Sequence, residues 1–349
     1  MSTRSEIKTL RLGTASPSPA ATTAETLSVV DQVAARAADQ NIDLLLLPEA
    51  FLGGYPRGTS FGSVIGSRSD EGREEFRQYF RGAVDLGDVV GEGGAGAGGK
   101  WVRRELDGEG EAKTRGDGTR EKLEEIARRT GVFVVVGLIE RAGGSLYCAV
   151  VYVCPSLGMI GKRRKVMPSK NNQTGSERLV WAQGSPATLR AVTTTIRGVR
   201  LNLAAAICWE SYMPMLRQSL YQQNINLYLA PTADGRDTWL SLMRTIGCEG
   251  RCFVVSSNMC VPPKGSNTTG GEASTTEPFV SRGGSCITGP MGAVLAGPQW
   301  ENNQDIIYAD VDFEDCIRGR LDLDAAGSYS RNDSFKFSVE GLDMSPLPY

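Results

Sequence analysis

The 349 residues are long enough for two domains or one large α/β domain, and either would bury a sizeable core. Lys+Arg 38 against Asp+Glu 40 leaves a net charge of −2, so nothing in the balance calls for nucleic acid or an anionic membrane, and a small neutral molecule is the default partner. There is no histidine, which excludes every Ser-His-Asp, Cys-His or histidine-ligated metal chemistry.

The opening MSTRSEIKTLRLG lacks the apolar core of a signal peptide, and no stretch is long enough to span a bilayer. KTLRLG predicts a first strand, and Thr23 is placed to cap a helix in which Leu27, Val30 and Ala34 share a face. The run Ile42 to Leu47 reads as a strand buried on both faces, ended by Pro48 and Glu49, with the turn-rich FLGGYPRG after it. An exposed helix is expected over 70–80. From about 85 to 119 the glycine-rich, charged composition predicts an inserted flexible loop with too little apolar surface to order itself, and without the spacing of a phosphate-binding loop.

A helix from Arg120 to Arg129 leads into VFVVVGLIE, a second buried strand closing on a glutamate, Glu140. LYCAVVYVCP is a further strand, and MIGKRRKVMP brings the basic cluster Lys162 to Lys165, a pattern common on solvated edges. NLAAAICWESYMP follows: an apolar run, then Cys208, then Pro214 opening a helix. INLYLAP and CFVVSSN are strands separated by a helix over 240–249, and residues 262–278 form a low-complexity loop. A SCITGPMGAVLAG hairpin and the strand DIIYADVDF close the pattern, and the polar tail from 318 to 349 is expected to be peripheral.

Cys208 is thus placed at a strand-to-helix turn, where the positive end of a following helix favours a thiolate. That describes a nucleophile, but a buried structural cysteine reads equally well from this stretch alone. Without histidine, such a nucleophile needs a carboxylate to take its proton and a lysine, arginine or backbone amide to meet the developing charge. Glu49, Glu140 and Cys208 all end buried strands, where functional groups of α/β proteins gather. The eight cysteines lack framework spacing and read as free thiols of a reducing, cytoplasmic compartment. Cys248 and Cys252 have helical spacing, but no second pair or histidine completes a zinc site, so no metal or cofactor is expected.

LLLLPEAFLGGYPRG, VVGLIERAGGSLYC, GKRRKVMP with TGSERLVW, AAAICWESYMP and LAPTADGRDTW with EGRCFV resemble the nitrilase branch of the carbon-nitrogen hydrolases, of the plant and fungal kind, from about Ile42 to Tyr329. The resemblance implies a four-layer α-β-β-α sandwich, here as one domain over 1–349, and a Glu-Lys-Cys triad with a second supporting glutamate. Motif by motif these fall on Glu49, Lys165, Cys208 and Glu140. It further implies hydrolysis of a nitrile to acid and ammonia through a thioimidate and a thioester on Cys208, with Glu49 as base and Glu140 fixing the Lys165 ammonium. Tyr55, Trp209, Met213, Thr232 and Trp239 are the substrate-pocket candidates from their loop positions, and a homo-oligomer is expected, a dimer or a larger assembly such as a ring or a spiral. Arg163 and Ser328 stand where similar sequences carry histidine, and SKNNQ, Ser169 to Gln173, separates two parts of one motif. The same triad could serve an amidase or N-carbamoyl hydrolase, and a catalytically silent scaffold could keep the fold.

Overall fold

The computed structural model describes residues 9–108, 115–169, 177–263 and 278–349. Strand β1 (Thr9–Ala15) runs parallel to β2 (Leu44–Leu46), with helix α1 (Thr23–Asp39) between them. The helix is capped by Thr22, one residue before the expected Thr23, because Thr22 forms a reciprocal capping box with Glu25. A small hairpin of β3 (Ser63–Val64) and β4 (Ser67–Arg68) is followed by α2 (Asp70–Gly82), α3 (Gly99–Val102) and α4 (Thr119–Thr130). Then β5 (Phe133–Ala142), β6 (Ser145–Cys154) and β7 (Gly158–Arg164) form an antiparallel meander.

After α5 (Glu177–Val180), the chain builds a second sheet from β8 (Val192–Ile196), β9 (Val199–Ala205), β10 (Leu227–Thr232), β11 (Phe253–Asn258), β12 (Cys260–Val261), β13 (Ser281–Thr288) and β14 (Val294–Trp300), with α6 (Pro214–Tyr221) connecting β9 to β10 and α7 (Thr238–Gly250) connecting β10 to β11. Finally β15 (Ile306–Asp312) crosses back to lie antiparallel to β1 in the first sheet, and α8 (Glu314–Gly319) follows. The sheet orders are β15-β1-β2-β5-β6-β7 and β12-β13-β11-β10-β9-β8, with β14 added on β13.

Strand alternation sorts the apolar residues into layers. Leu44, Leu46, Val135 and Cys148 from the first sheet meet Leu203, Ala205, Leu229 and Val255 from the second between the sheets. Their neighbours Leu45, Val134 and Val136 face outward onto Val30 and Val33 of α1 and Leu123 and Ile126 of α4. On the far side Ala204, Tyr228 and Val254 pack on Leu216 and Leu220 of α6 and Met243 and Ile246 of α7. The result is the expected α-β-β-α sandwich. Among the described residues no helix is long and apolar enough to cross a membrane.

The segment expected to stay loose from 85 to 119 is exposed at many of its described residues, yet it is tied to the first sheet at particular points. Trp101 is 1 % exposed and donates its Nε1–H to the Leu86 carbonyl, with Lys162 and Arg120 over its ring. Arg164 binds the carbonyls of Val89, Val90 and Gly94. Apolar area was too narrow a criterion, because buried cations from the first sheet anchor this segment through its own backbone. The loop expected at 262–278 lies almost wholly outside the described residues, as do 170–173 of the Ser169 to Gln173 stretch. The tail is largely exposed, yet its end is strapped down: Leu347 exchanges hydrogen bonds with Gln223 and Asn224, and Asn202 donates to the Pro348 carbonyl.

Candidate active site

Two strands of the first sheet, β2 and β7, each deliver one group to the space between the sheets from just beyond their carboxyl ends. Beyond β2 the chain turns at Glu49, and Ala50 takes a left-handed φ of 49°. This turn lies directly on β5 at Gly137, where an added Cβ would sit 2.3 Å from the Pro48 carbonyl oxygen and 2.7 Å from the Glu49 Cα. Only glycine permits that approach. Just past β7, Lys165 is held by its own backbone, its N–H donating to the Cys148 carbonyl at 2.7 Å and its carbonyl accepting from Gly184.

From the second sheet, β9 ends at Ala205, and Cys208 begins a single 3-10 turn, Cys208–Tyr212, before Pro214 opens α6. Its φ of 53° is left-handed, a conformation cysteine adopts only where surrounding contacts compel it. Those contacts converge on the carboxylate of Glu210. Glu210 Oε1 accepts from the amides of Val166 (2.6 Å) and Met167 (3.2 Å), immediately after Lys165, and Oε2 accepts from Ile207 (2.8 Å), immediately before Cys208. Arg163 Nη1 lies 2.5 Å from the same Oε2 as counter-charge.

The groups meet in one enclosed cluster. Lys165 Nζ donates to Glu49 Oε1 at 2.6 Å and to Glu177 Oε2 at 2.7 Å, and all three side chains are buried. Tyr55 donates its hydroxyl proton to Glu177 Oε1 at 2.7 Å, and the Ser169 amide also donates to Glu177 Oε2. Thr232 Oγ1 donates to Cys208 Sγ at 3.2 Å, and the Ala233 backbone amide donates to the same sulfur. Glu49 Oε2 is buried without an aligned hydrogen-bond partner, although the Cys208 thiol lies close enough to act on this carboxylate.

Charge decides the resting protonation. Burial pushes the Glu49 carboxyl up, against the opposing pull of Lys165. Burial would lower Lys165, but Glu49 and Glu177 outweigh it and hold the ammonium charged well above its ordinary range. Burial and then the Glu49 charge push the Cys208 thiol well up, so the sulfur rests as a thiol. This overturns the expectation that a helix terminus would favour thiolate: a 3-10 turn intervenes before α6, and desolvation beside a carboxylate dominates. The sulfur therefore needs a base at the moment of attack.

The description of the carbon-nitrogen hydrolase family matches residues 10–320. The chain belongs to the carbon-nitrogen hydrolase family. It is 41% identical to a nitrilase of Bradyrhizobium diazoefficiens over 87% of this chain and 84% of that one. It is 37% identical to a bifunctional nitrilase/nitrile hydratase of Nicotiana tabacum over 94% and 84%. The fold is shared with a carbon-nitrogen hydrolase from Helicobacter pylori, at a TM-score of 0.66, 13% identity and coverage of 93% and 98%.

In this hydrolase Glu49, Lys165 and Cys208 come together as expected, but Glu140 does not join them. Its Oε2 takes Arg164 Nε at 2.7 Å, while Oε1 takes Arg164 Nη2 at 2.8 Å and also the Lys162 ammonium. Despite burial, Lys162 and Arg164 hold its carboxyl below the ordinary range. Asp88 completes the group by pairing with Lys162 at 2.6 Å. The place expected of Glu140, on the Lys165 ammonium, belongs to Glu177. TGSERLVW carries Glu177, whereas Glu140 in GLIER shares with Glu49 only the pattern of a glutamate closing an apolar run.

Glu140→Ala would leave two buried cations short of a partner and free the segment that Arg164 anchors. We expect a loss of about 3–5 kcal/mol in denaturant unfolding. Residual folded protein should keep its turnover per Cys208 thiol titrated, and a selective loss of turnover at full stability would contradict this placement.

The substrate-pocket candidates divide. Tyr55 and Thr232 touch the cluster, through Glu177 and the Cys208 sulfur respectively. Trp209 is half-buried, its ring beneath the Arg236 guanidinium at 4.9 Å, and Arg236 is itself held by Asp234. Met213 and Trp239 instead serve packing. Met213 joins the apolar layer beneath α6 and α7, and Trp239, 2 % exposed, donates Nε1–H to Ser256 behind β10 and β11. Ser328 is exposed in the tail, where its amide donates to Asp324 Oδ2 at 3.3 Å.

Proposed function

We propose that this hydrolase converts an organic nitrile to the carboxylic acid and ammonia, with Cys208 as nucleophile, Glu49 as general base and Lys165 as the cation that meets developing charge. The observation that carries the reading is Lys165 Nζ bridging Glu49 and Glu177 beside a protonated Cys208 thiol, with no histidine in the chain to do that work otherwise. The relatives named as nitrilases support the nitrile over an amide as substrate.

Glu49 takes the thiol proton as sulfur attacks the nitrile carbon, and that proton passes to the nitrile nitrogen, giving a thioimidate. Lys165 and the Trp209 backbone amide face the charge that forms on nitrogen, then on oxygen. Water adds, the nitrogen leaves as ammonia, and a thioester remains. A second water, deprotonated by Glu49, releases the acid and returns the proton to sulfur. Glu177 keeps Lys165 charged throughout, and Tyr55 fixes Glu177. Trp209 and Thr232 border the bound nitrile. With eight free cysteines, one of them the nucleophile, a reducing cytoplasmic setting suits the protein, and we place it there as a homo-oligomer.

The test is ammonia and acid release from a panel of aliphatic and aromatic nitriles against the matching amides. Turnover of amides alone would replace this reading by an amidase. The pH dependence follows from Glu49. Its carboxyl must be ionised to accept a proton and is raised in the folded protein, so kcat/KM should fall as pH drops through a value above the ordinary glutamate range of about 4.3. A profile flat to about pH 4 would show that another group is the base.

A further inference from the structure

The cluster contains a second thiol that the mechanism does not use. Cys148 lies on β6, buried, with Sγ 3.5 Å from Glu49 Oε1 and positioned to donate to it. Its backbone carbonyl accepts the Lys165 N–H at 2.7 Å, so one residue touches both the carboxylate and the lysine from fixed sheet geometry. Glu49 Oε1 thereby receives two donors, Lys165 and Cys148, while Oε2 has no aligned partner and is equally buried.

We propose that Cys148 is a positioning residue: by sharing Oε1 with Lys165 it sets the plane of the Glu49 carboxylate and leaves Oε2 as the atom that receives the Cys208 proton. This rests on the functional reading above. A carboxylate with one oxygen occupied by two donors cannot rotate to exchange its oxygens without breaking both bonds in a dry interior. An S–H···O bond is weak alone, but here it is added to a charge-assisted bond on the same atom.

Cys148 itself is poorly suited to attack. Burial, then the Glu49 charge, push its thiol well up, and its backbone is ordinary β-strand rather than the left-handed turn of Cys208. Around Glu49 the charged and titratable groups are Lys165, Glu177, Cys208, Cys148, Tyr55 and Tyr79, with Glu210 acting on Cys148 from the second sheet. Of these, Cys148 hydrogen-bonds Glu49 yet can be changed without removing a charge or a group assigned to the chemistry.

Donation to the ionised carboxylate favours its charged form, so loss of the donor raises the pH at which Glu49 takes up a proton. In Cys148→Ala the acid limb of kcat/KM should therefore move up by about half a pH unit, and kcat should fall roughly three- to ten-fold with KM within about two-fold of wild type. Cys148→Ser keeps a donor and should restore both limb and kcat. A purely structural role would lower thermal stability without moving the limb. An unmoved limb and kcat in Cys148→Ala, or a serine variant no better than the alanine one, overturns the proposal. Cys208→Ala is run alongside. If it still turns over, the reading of the site has failed; if it is dead while Cys148→Ala behaves as wild type, only this inference has.

Discussion

Cys208→Ala is expected to fold as the wild type does and to release neither acid nor ammonia, a loss of about a million-fold or to the detection limit. The side chain lies in a turn held by Glu210 rather than by its own sulfur, whose donors are Thr232 and the Ala233 amide. Removing it costs little packing. Cys208→Ser should be almost as inactive, since an alcohol holds its proton far more tightly than the thiol and Glu49 is a weak base. Single-turnover measurement with a chromogenic nitrile, beside circular dichroism of both variants, checks the point. A serine variant within about ten-fold of wild type would show that sulfur chemistry is not the source of the rate.

The second large effect is expected at Arg163 and Glu210, well behind the reacting atoms. Arg163 is 1 % exposed and Glu210 is fully buried, and the guanidinium contacts the carboxylate by charge without hydrogen-bond alignment. Burial would raise the Glu210 carboxyl, but Arg163 and the Ile207 amide hold it below the ordinary range. In Arg163→Met the carboxylate is buried with amides alone, a cost of about 3–5 kcal/mol at neutral pH by urea unfolding. The sign of the pH dependence is specific. In the wild type this carboxylate's contribution is complete above the ordinary glutamate range and disappears as pH falls through the lowered folded value. Without Arg163 the folded value rises above the unfolded one, so the penalty shrinks as pH is lowered. Turnover should fall with stability, because the amides on Glu210 belong to the residues flanking Lys165 and Cys208. A penalty that grows on acidification would refute this account. Arg163→His, which can keep a shorter cation beside Glu210, should lie between wild type and Arg163→Met.

Much of this arrangement was legible in the sequence because strands end where apolar runs end. Glu49 and Cys208 were found that way, and the absence of histidine pointed to a lysine. The same rule failed at Glu140, because an apolar run ending in an acid does not say which neighbouring strand supplies its cation. The answer was latent in the alternation of β7. Lys162 and Arg164 point to one face and meet Glu140 and Asp88, whereas Arg163 and Lys165 point between the sheets and meet Glu210, Glu49 and Glu177. Read in pairs rather than as one basic patch, KRRK separates a structural anchor from the catalytic face. Glu177 was harder to place, since its position depends on how the chain returns after β7 rather than on any strand period. The order in 85–108 was illegible for a related reason: it depends on Arg164 and Lys162 reaching it from another element.

Around Cys208 the enclosure holds one ammonium and two carboxylates, an excess of one acid over its bases. A nitrile enters without charge and is indifferent to that surplus. The hydrolysed product carries an anionic head of its own, which two ionised acids repel at close range, so the imbalance that keeps Lys165 protonated should also favour release of the acid over its rebinding.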